Sequence, residues 1–204
     1  MINMRRIWFV LIAMFTSLGV LAQSSKHDEI AQKVDSVMNR MTLEEKIGQL
    51  NQLTGDGEVT GPVTLNQDYQ QQIRQGMVGS MLNVNGAEYT RKIQKIAVEE
   101  SRLGIPLIFG YDVIHGYKTI FPVPLGESSS WDLEAIEKAS RIAAREATAA
   151  GQHWTFAPMV DISRDARWGR IMEGAGEDPY LGSQIAKARV KGFQGESFEA
   201  PNTM

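Results

Sequence analysis

Apolar positions recur at two spacings along the chain, and the spacing changes from one segment to the next. Over His27–Met41, the apolar residues Ile30, Val34, Val37 and Met38 fall three or four apart, which predicts an amphipathic helix. Thr42 followed by Glu45 is a capping box that opens a second helical turn through Ile47–Leu50. Gly55–Pro62 is a turn-rich loop, and Leu65–Gln75 is a polar helix stopped by Gly76. From there strand-like and helical stretches take turns. Val78–Val84, Ile105–Tyr111 and His153–Val160 are short apolar runs of strand length. Ala87–Ser101 is helical, with Tyr89, Ile93, Ile96 and Ala97 on one face. Asp132–Ala150 turns Ile136, Ala139, Ala143 and Ala147 inward and is closed by Gly151. A last helix begins at Pro179 and carries Ile185, Ala188 and Val190 towards Gly195. This alternation predicts an α/β fold, a parallel sheet covered by helices. An eight-stranded barrel takes about 250 residues, so periodicity leaves two architectures open: a small open sheet, or the front part of something larger.

The amino terminus breaks the pattern. Arg5 and Arg6 precede an apolar run, Ile7–Leu21, and Val20-Leu21-Ala22 before Gln23 fits a small-residue cleavage site. The run is shorter than the roughly 20 apolar residues of a membrane span, so residues 1–22 read as a secretory signal peptide. Contact with the membrane is then expected only through that export signal, and residues 23–204 form one domain of ordinary size. The chain has no cysteine, which removes disulfides, thiol catalysis and a lipid-anchoring cysteine. Its net charge of −3 and scattered lysines and arginines give no nucleic-acid surface.

Charge is instead concentrated in Arg164–Pro179, R-D-A-R-W-G-R-I-M-E-G-A-G-E-D-P, directly after the His153–Val160 run. A loop at the carboxyl end of a strand is where α/β proteins hold ligands. Arg164, Arg167 and Arg170 offer forked donors suited to hydroxyls or carboxylates, with Asp161, Asp165, Glu173, Glu177 and Asp178 close by in sequence. An internal ion-pair knot that merely pins the loop is the competing reading. Trp168 is either an apolar platform for a sugar face or a buried loop anchor. Asp178-Pro179 reads as helix cap and first helical residue. Asp112 ends the Ile105–Tyr111 strand, where a carboxylate can accept hydrogen bonds from two hydroxyls of one sugar. His115 follows as an orienting donor. No histidine spacing suits a metal, and no glycine-rich phosphate-binding motif is present.

Taken together, M-T-L-E-E-K-I-G-Q-L (41–50), G-Y-D-V-I-H-G (110–116), T-I-F-P (119–122) and R-D-A-R-W-G-R-I-M-E-G-A-G-E-D-P-Y-L (164–181) resemble the amino-terminal domain of glycoside hydrolase family 3. The similarity is to its exported bacterial β-glucosidases. The resemblance implies that residues 23–204 are the front part of a (β/α)8, TIM-like barrel, incomplete at the carboxyl end. It implies that Asp112 and Arg170 bind the terminal glucose, with Trp168 and Glu173 in or beside the same pocket. It implies a retaining, two-step reaction on β-glucosides or oligosaccharides, without cofactor, in the periplasm. The family's Lys-His pair, its nucleophilic aspartate and its acid/base glutamate would all lie beyond Met204, so no catalytic residue is assigned within the chain and these 204 residues alone are expected to be inactive. V-I-H-G after Asp112, where β-N-acetylhexosaminidases carry an E-G-G-type segment, favours glucosidase or xylosidase chemistry. Two rivals use the same residues differently: a non-catalytic periplasmic sugar-binding module, and a structural role without sugar affinity.

Overall fold

A computed structural model describes residues 28–55 and 68–204. The expected signal peptide, residues 1–22, and nearly all of the Gly55–Pro62 loop lie outside the described residues. By contacts the chain divides into a unit ending at Lys46 and a second unit, Ile47–Met204. In the first, residues 28–38 are helical (α1), as the periodicity predicts, and Ile30, Val34, Val37 and Met38 are exposed. The capping box is made in full. The Thr42 N–H donates to Glu45 Oε2 at 2.9 Å and the Glu45 N–H to Thr42 Oγ1 at 3.2 Å, opening α2 (Leu43–Gly48). Among the described residues no helix is long and apolar enough to cross a membrane.

The second unit is built on three parallel strands, β1 (Gln52–Thr54), β2 (Ser80–Leu82) and β3 (Ile108–Gly110), adjacent in chain order. Leu53, Met81 and Phe109 stand side by side across this sheet, and the last two are fully buried. β1 was not expected from its three residues. It forms because the Gly55 N–H reaches Leu82 O at 2.8 Å and the Ser80 N–H reaches Asn51 O at 3.3 Å. The close approach depends on Gly79, where a Cβ would fall 2.1 Å from Gln49 O.

The chain returns to the sheet a fourth time only at Trp154, which bridges Gly110 in parallel. The expected His153–Val160 strand is therefore reduced to one paired residue, after which 155–165 runs without regular pairing. Gly110 is the reason the rings fit, since a Cβ there would touch the Phe156 ring at 3.2 Å. Strands laid down one beside the next, each reached through a helix, follow the order of a barrel. A doubly wound sheet would reverse its order part-way.

Helices α3 (Tyr69–Arg74) and α4 (Ala87–Lys95, continued by a wider turn at Ile96–Glu100) cover β1–β3. Ile73, Ile93, Ile96 and Ala97 meet Leu53, Met81 and Phe109 in the main core. Burying a side chain such as Ile93 or Phe109 contributes about 1.5–3 kcal/mol. After the short α5 (Pro124–Ser128) come the paired helices α6 (Leu133–Ala149) and α7 (Pro179–Gln194). Asp132 caps α6 by accepting from the Ala135 N–H at 2.9 Å, and Asp178 caps α7 through the Leu181 N–H at 2.8 Å. Small residues let the two helices touch: Ala143, Ala144 and Ala147 pack with Val113 and Phe193, and Ile136 packs with Ile185 and Ala188. Val190, expected inward, is 38% exposed, and Arg189 takes the buried position.

Candidate functional site: the rim beyond β3 and Trp154

Asp112 stands two residues past the carboxyl end of β3. Its side chain makes a local turn, Oδ1 accepting from the Ile114 N–H at 3.1 Å. Val113, between them, is buried against α6 and α7 and anchors the loop. The return is fixed by a bridge from Gly116 to Ile120 and by the Phe121 N–H donating to His115 O at 2.8 Å. Gly116, at φ 114°, lies so close to Thr119 O that a Cβ would stand 1.9 Å from it. Further along, the Glu146 carboxylate of α6 accepts from the Lys118 and Thr119 N–H groups, each at 2.8 Å.

The charged segment leaves the same end of the sheet, beyond Trp154. Its base is pinned by the Ser163 N–H donating to Gly176 O at 3.1 Å. Between these residues the backbone folds on itself, with the Trp168 N–H on Asp165 O, the Ile171 N–H on Trp168 O and the Glu173 N–H on Arg170 O, all at 3.0–3.1 Å. Close ends and internal bonding make it a compact surface loop of the Ω type. The expected charge pairing is only partly an anchor. Arg167 pairs with Asp165 at 2.6 Å and Arg170 with Glu173 at 2.6 Å, both through Nε as well. Both pairs join near neighbours at the surface, where ion pairs stabilise little. Trp168 is 37% exposed, so the buried-anchor reading of that residue does not hold.

Asp112 and Arg170, far apart in sequence, are brought within reach of one another's charge. Burial pushes the Asp112 carboxyl above its ordinary value; the Ile114 N–H pulls it down, Glu173 pushes it up, and Arg170 and His115 pull it down. The bidentate bond to Arg170 holds the Glu173 carboxyl below its ordinary value. The rim thus carries one partly desolvated carboxylate and one guanidinium whose orientation is set by a second carboxylate. Both are groups that hydrogen-bond hydroxyls. Trp168 offers an exposed ring on the same loop as Arg170. His153 lies elsewhere, with Nδ1 accepting from the Phe109 N–H at 3.1 Å inside the sheet. Among the described residues no cluster of three or more His, Asp or Glu side chains is arranged to hold a metal ion.

Sequence reasoning missed a buried ion pair behind the rim. Arg189 of α7 bonds Glu127 of α5 through Nη2 and donates from Nη1 to Ile114 O at 2.9 Å. The two side chains are only 4% and 8% exposed. Burial pushes the Glu127 carboxyl up and the Arg189 guanidinium down, and their mutual attraction opposes both shifts. The signal was available: Arg189 interrupts the apolar stripe Ile185, Ala188, Gly192, Phe193 at helical spacing.

Residues 42–202 match the glycosyl hydrolase family 3 N terminal domain. The periplasmic beta-glucosidase of Salmonella typhimurium is 43% identical over 164 residues, covering 80% of this chain and 21% of that protein. The crystal structure of a beta-glucosidase from Listeria innocua in complex with isofagomine superposes with a TM-score of 0.77 at 43% identity, over 85% of this chain and 24% of that one. The same enzyme in complex with glucose gives 0.73 at 40% identity, over 85% and 25%. The chain thus spans about a fifth to a quarter of the length of the relatives it matches. With that match across the sheet, the helices and the charged loop, the chain belongs to glycosyl hydrolase family 3 and carries part of its N-terminal barrel domain.

Proposed function

We propose that this chain forms the glucose-binding rim of an exported β-glucosidase, which releases terminal non-reducing β-D-glucosyl residues by a retaining mechanism. The observation that carries the reading is that Asp112 lies within charge reach of both Arg170 and Glu173, at the end of the sheet from which their loop leaves. The Asp112 carboxylate accepts from two neighbouring hydroxyls of the terminal sugar, and Arg170 donates to a third. Glu173 holds the guanidinium fork in place, and Trp168 lies against an apolar sugar face. The glucose and isofagomine complexes of the Listeria enzyme support a pyranose-sized ligand.

Within this reading the chain binds sugar but does not cleave it. Retention requires two carboxyls about 5–5.5 Å apart, one a nucleophile and one a proton donor. Glu173 is committed to a bidentate bond with Arg170, which leaves it a weak nucleophile and an unsuitable acid. Calorimetric titration of the chain with glucose, beside an assay with a chromogenic β-glucoside, tests both halves. Saturable glucose binding that is abolished in Asp112→Ala, without turnover, is the expected outcome. A folded chain indifferent to glucose overturns the binding site, and turnover above background overturns the division of labour. Export is read from residues 1–22 and agrees with the periplasmic relative. Mass spectrometry of the periplasmic fraction is expected to find a mature amino terminus at Gln23; an intact Met1 there would refute cleavage.

A further inference from the structure

We infer that Arg189, held by Glu127, is a positioning residue for Asp112. The inference deepens the proposed sugar site and rests on that reading for its functional consequence. A continuous set of bonds joins the three side chains. Glu127 Oε2 accepts from Arg189 Nη2, Arg189 Nη1 donates to Ile114 O at 2.9 Å, and the Ile114 N–H donates to Asp112 Oδ1 at 3.1 Å. Ile114 is therefore gripped at both of its backbone polar groups, one by the guanidinium and the other by the carboxylate that is to face the sugar. An Asp112 carboxylate with one oxygen fixed in this turn presents the remaining lone pairs in a set direction. Preorganisation of that kind strengthens a contact without adding one.

The location favours a positioning role over a purely stabilising one. Glu127 and Arg189 belong to separate helices, and a buried ion pair adds little stability compared with apolar residues of the same volume. It does add direction, because the planar fork of Arg spans a carboxylate and a carbonyl at once. Lysine carries the same charge on a single, shorter-reaching nitrogen and does not reproduce the two-pronged hold on Glu127 and Ile114 O. His115 sits within charge reach of both Asp112 and Glu127.

The test compares the full chain with Arg189→Lys and with the apolar double variant Glu127→Leu/Arg189→Met, which keeps the buried volume and leaves no charge unpaired. Two readouts are taken: the Ile114 amide resonance and its hydrogen exchange by NMR, and glucose affinity by calorimetry. Both variants are expected to fold, to shift the Ile114 amide and speed its exchange, and to weaken glucose about tenfold, the size of one misdirected charge-assisted hydrogen bond. A folded double variant with a native Ile114 amide and native glucose affinity overturns the inference. The failure of the sugar site itself looks different: the parent chain then ignores glucose, while the Ile114 amide still reports whether Arg189 sets the loop. If Arg189→Lys alone fails to fold, the double variant decides.

Discussion

Helix α7 contains two glycines whose replacement by alanine should change stability in opposite directions. An added Cβ at Gly192 would lie 2.3 Å from Glu137 O, 2.6 Å from Ser140 Cβ and 3.1 Å from Arg141 N, against 3.4–4 Å for ordinary contact. The nearest of these atoms is backbone of α6, which no rotamer change removes, so α7 must back away by about 1 Å. That movement opens the layer of Ile136, Ile185 and Ala188 between the helices. Overpacking of this kind costs about 1–3 kcal/mol, and a rigid obstacle places it at the upper end. The gain in helix propensity from Gly to Ala returns about 1 kcal/mol, leaving Gly192→Ala about 2 kcal/mol less stable. At Gly182 the added Cβ meets only Ile162 Cδ1 at 3.3 Å, the tip of an exposed side chain that can turn aside. Propensity then governs, and Gly182→Ala should gain about 0.5–1 kcal/mol. Arg189 lies one turn before Gly192, so the same displacement draws its guanidinium off Ile114 O and should weaken glucose in Gly192→Ala only. Urea unfolding followed by circular dichroism, with equal slopes required of all three proteins, measures the stability difference. Midpoints that move the same way in both variants, or a Gly192→Ala midpoint at or above that of the parent, would refute the packing argument.

The remaining predictions concern the rim and its supports. A carboxyl raised by burial holds its proton more tightly in the folded chain. Its contribution to stability is complete below the unfolded value and is lost as pH rises through the folded one. Asp112→Asn is therefore expected to match or exceed the parent in stability at neutral pH, with the difference closing in acid, while glucose affinity is lost; a less stable Asp112→Asn at neutral pH contradicts this. Glu173 raises the Asp112 carboxyl and orients Arg170, so Glu173→Gln should weaken glucose at every pH and carry the acid limit of binding to lower pH. Calorimetry across the acid range reads both effects, and an acid limit displaced upward rejects the assignment. Asp178→Ala removes the cap of α7 and should cost about 1 kcal/mol in urea, an effect absent from Asp178→Asn.

Much of this was legible in the chain because local and long-range requirements agree. The caps Thr42 and Asp178 start helices as their residue types require, and α6 buries Ile136, Ala143 and Ala147 of the stripe its period marks out, with Ala139 only half-buried. Three features were hidden, each for a physical reason. β1 has no alternation to detect: Gln-Leu-Thr becomes a strand only because β2 lies beside it and Gly79 admits the close approach. The His153–Val160 run reads as a strand from its apolar residues, yet only Trp154 pairs, and Phe156 packs on the Trp154 ring with centroids 4.8 Å apart. Arg189 was passed over because its charge suggests the surface, and only the position of Glu127 on another helix makes its burial tolerable. In the charged loop the sequence could supply the inventory of charges but not the partners. Which arginine meets which carboxylate is decided by turns of a few residues.

The two sides of the rim are held by different means, and this bears on how such a site can work. Asp112 sits on a loop fixed from below, by buried Val113 and by a guanidinium reaching across from α7. Arg170 sits on a surface loop closed by its own backbone turns, and its partner Glu173 is three residues away. Within the proposed site Asp112 is the rigid acceptor, because moving it means disturbing the packing of Val113 against α6 and α7. The guanidinium is oriented by Glu173, three residues away on the same surface loop, so the two can move together at less cost than Asp112 can. In the proposed site, orientation of the sugar then falls to the carboxylate and adjustment around it to the arginine loop. The buried pair behind Asp112 matters for the same reason: a fixed acceptor directs two hydroxyls only if its own backbone is not free to turn.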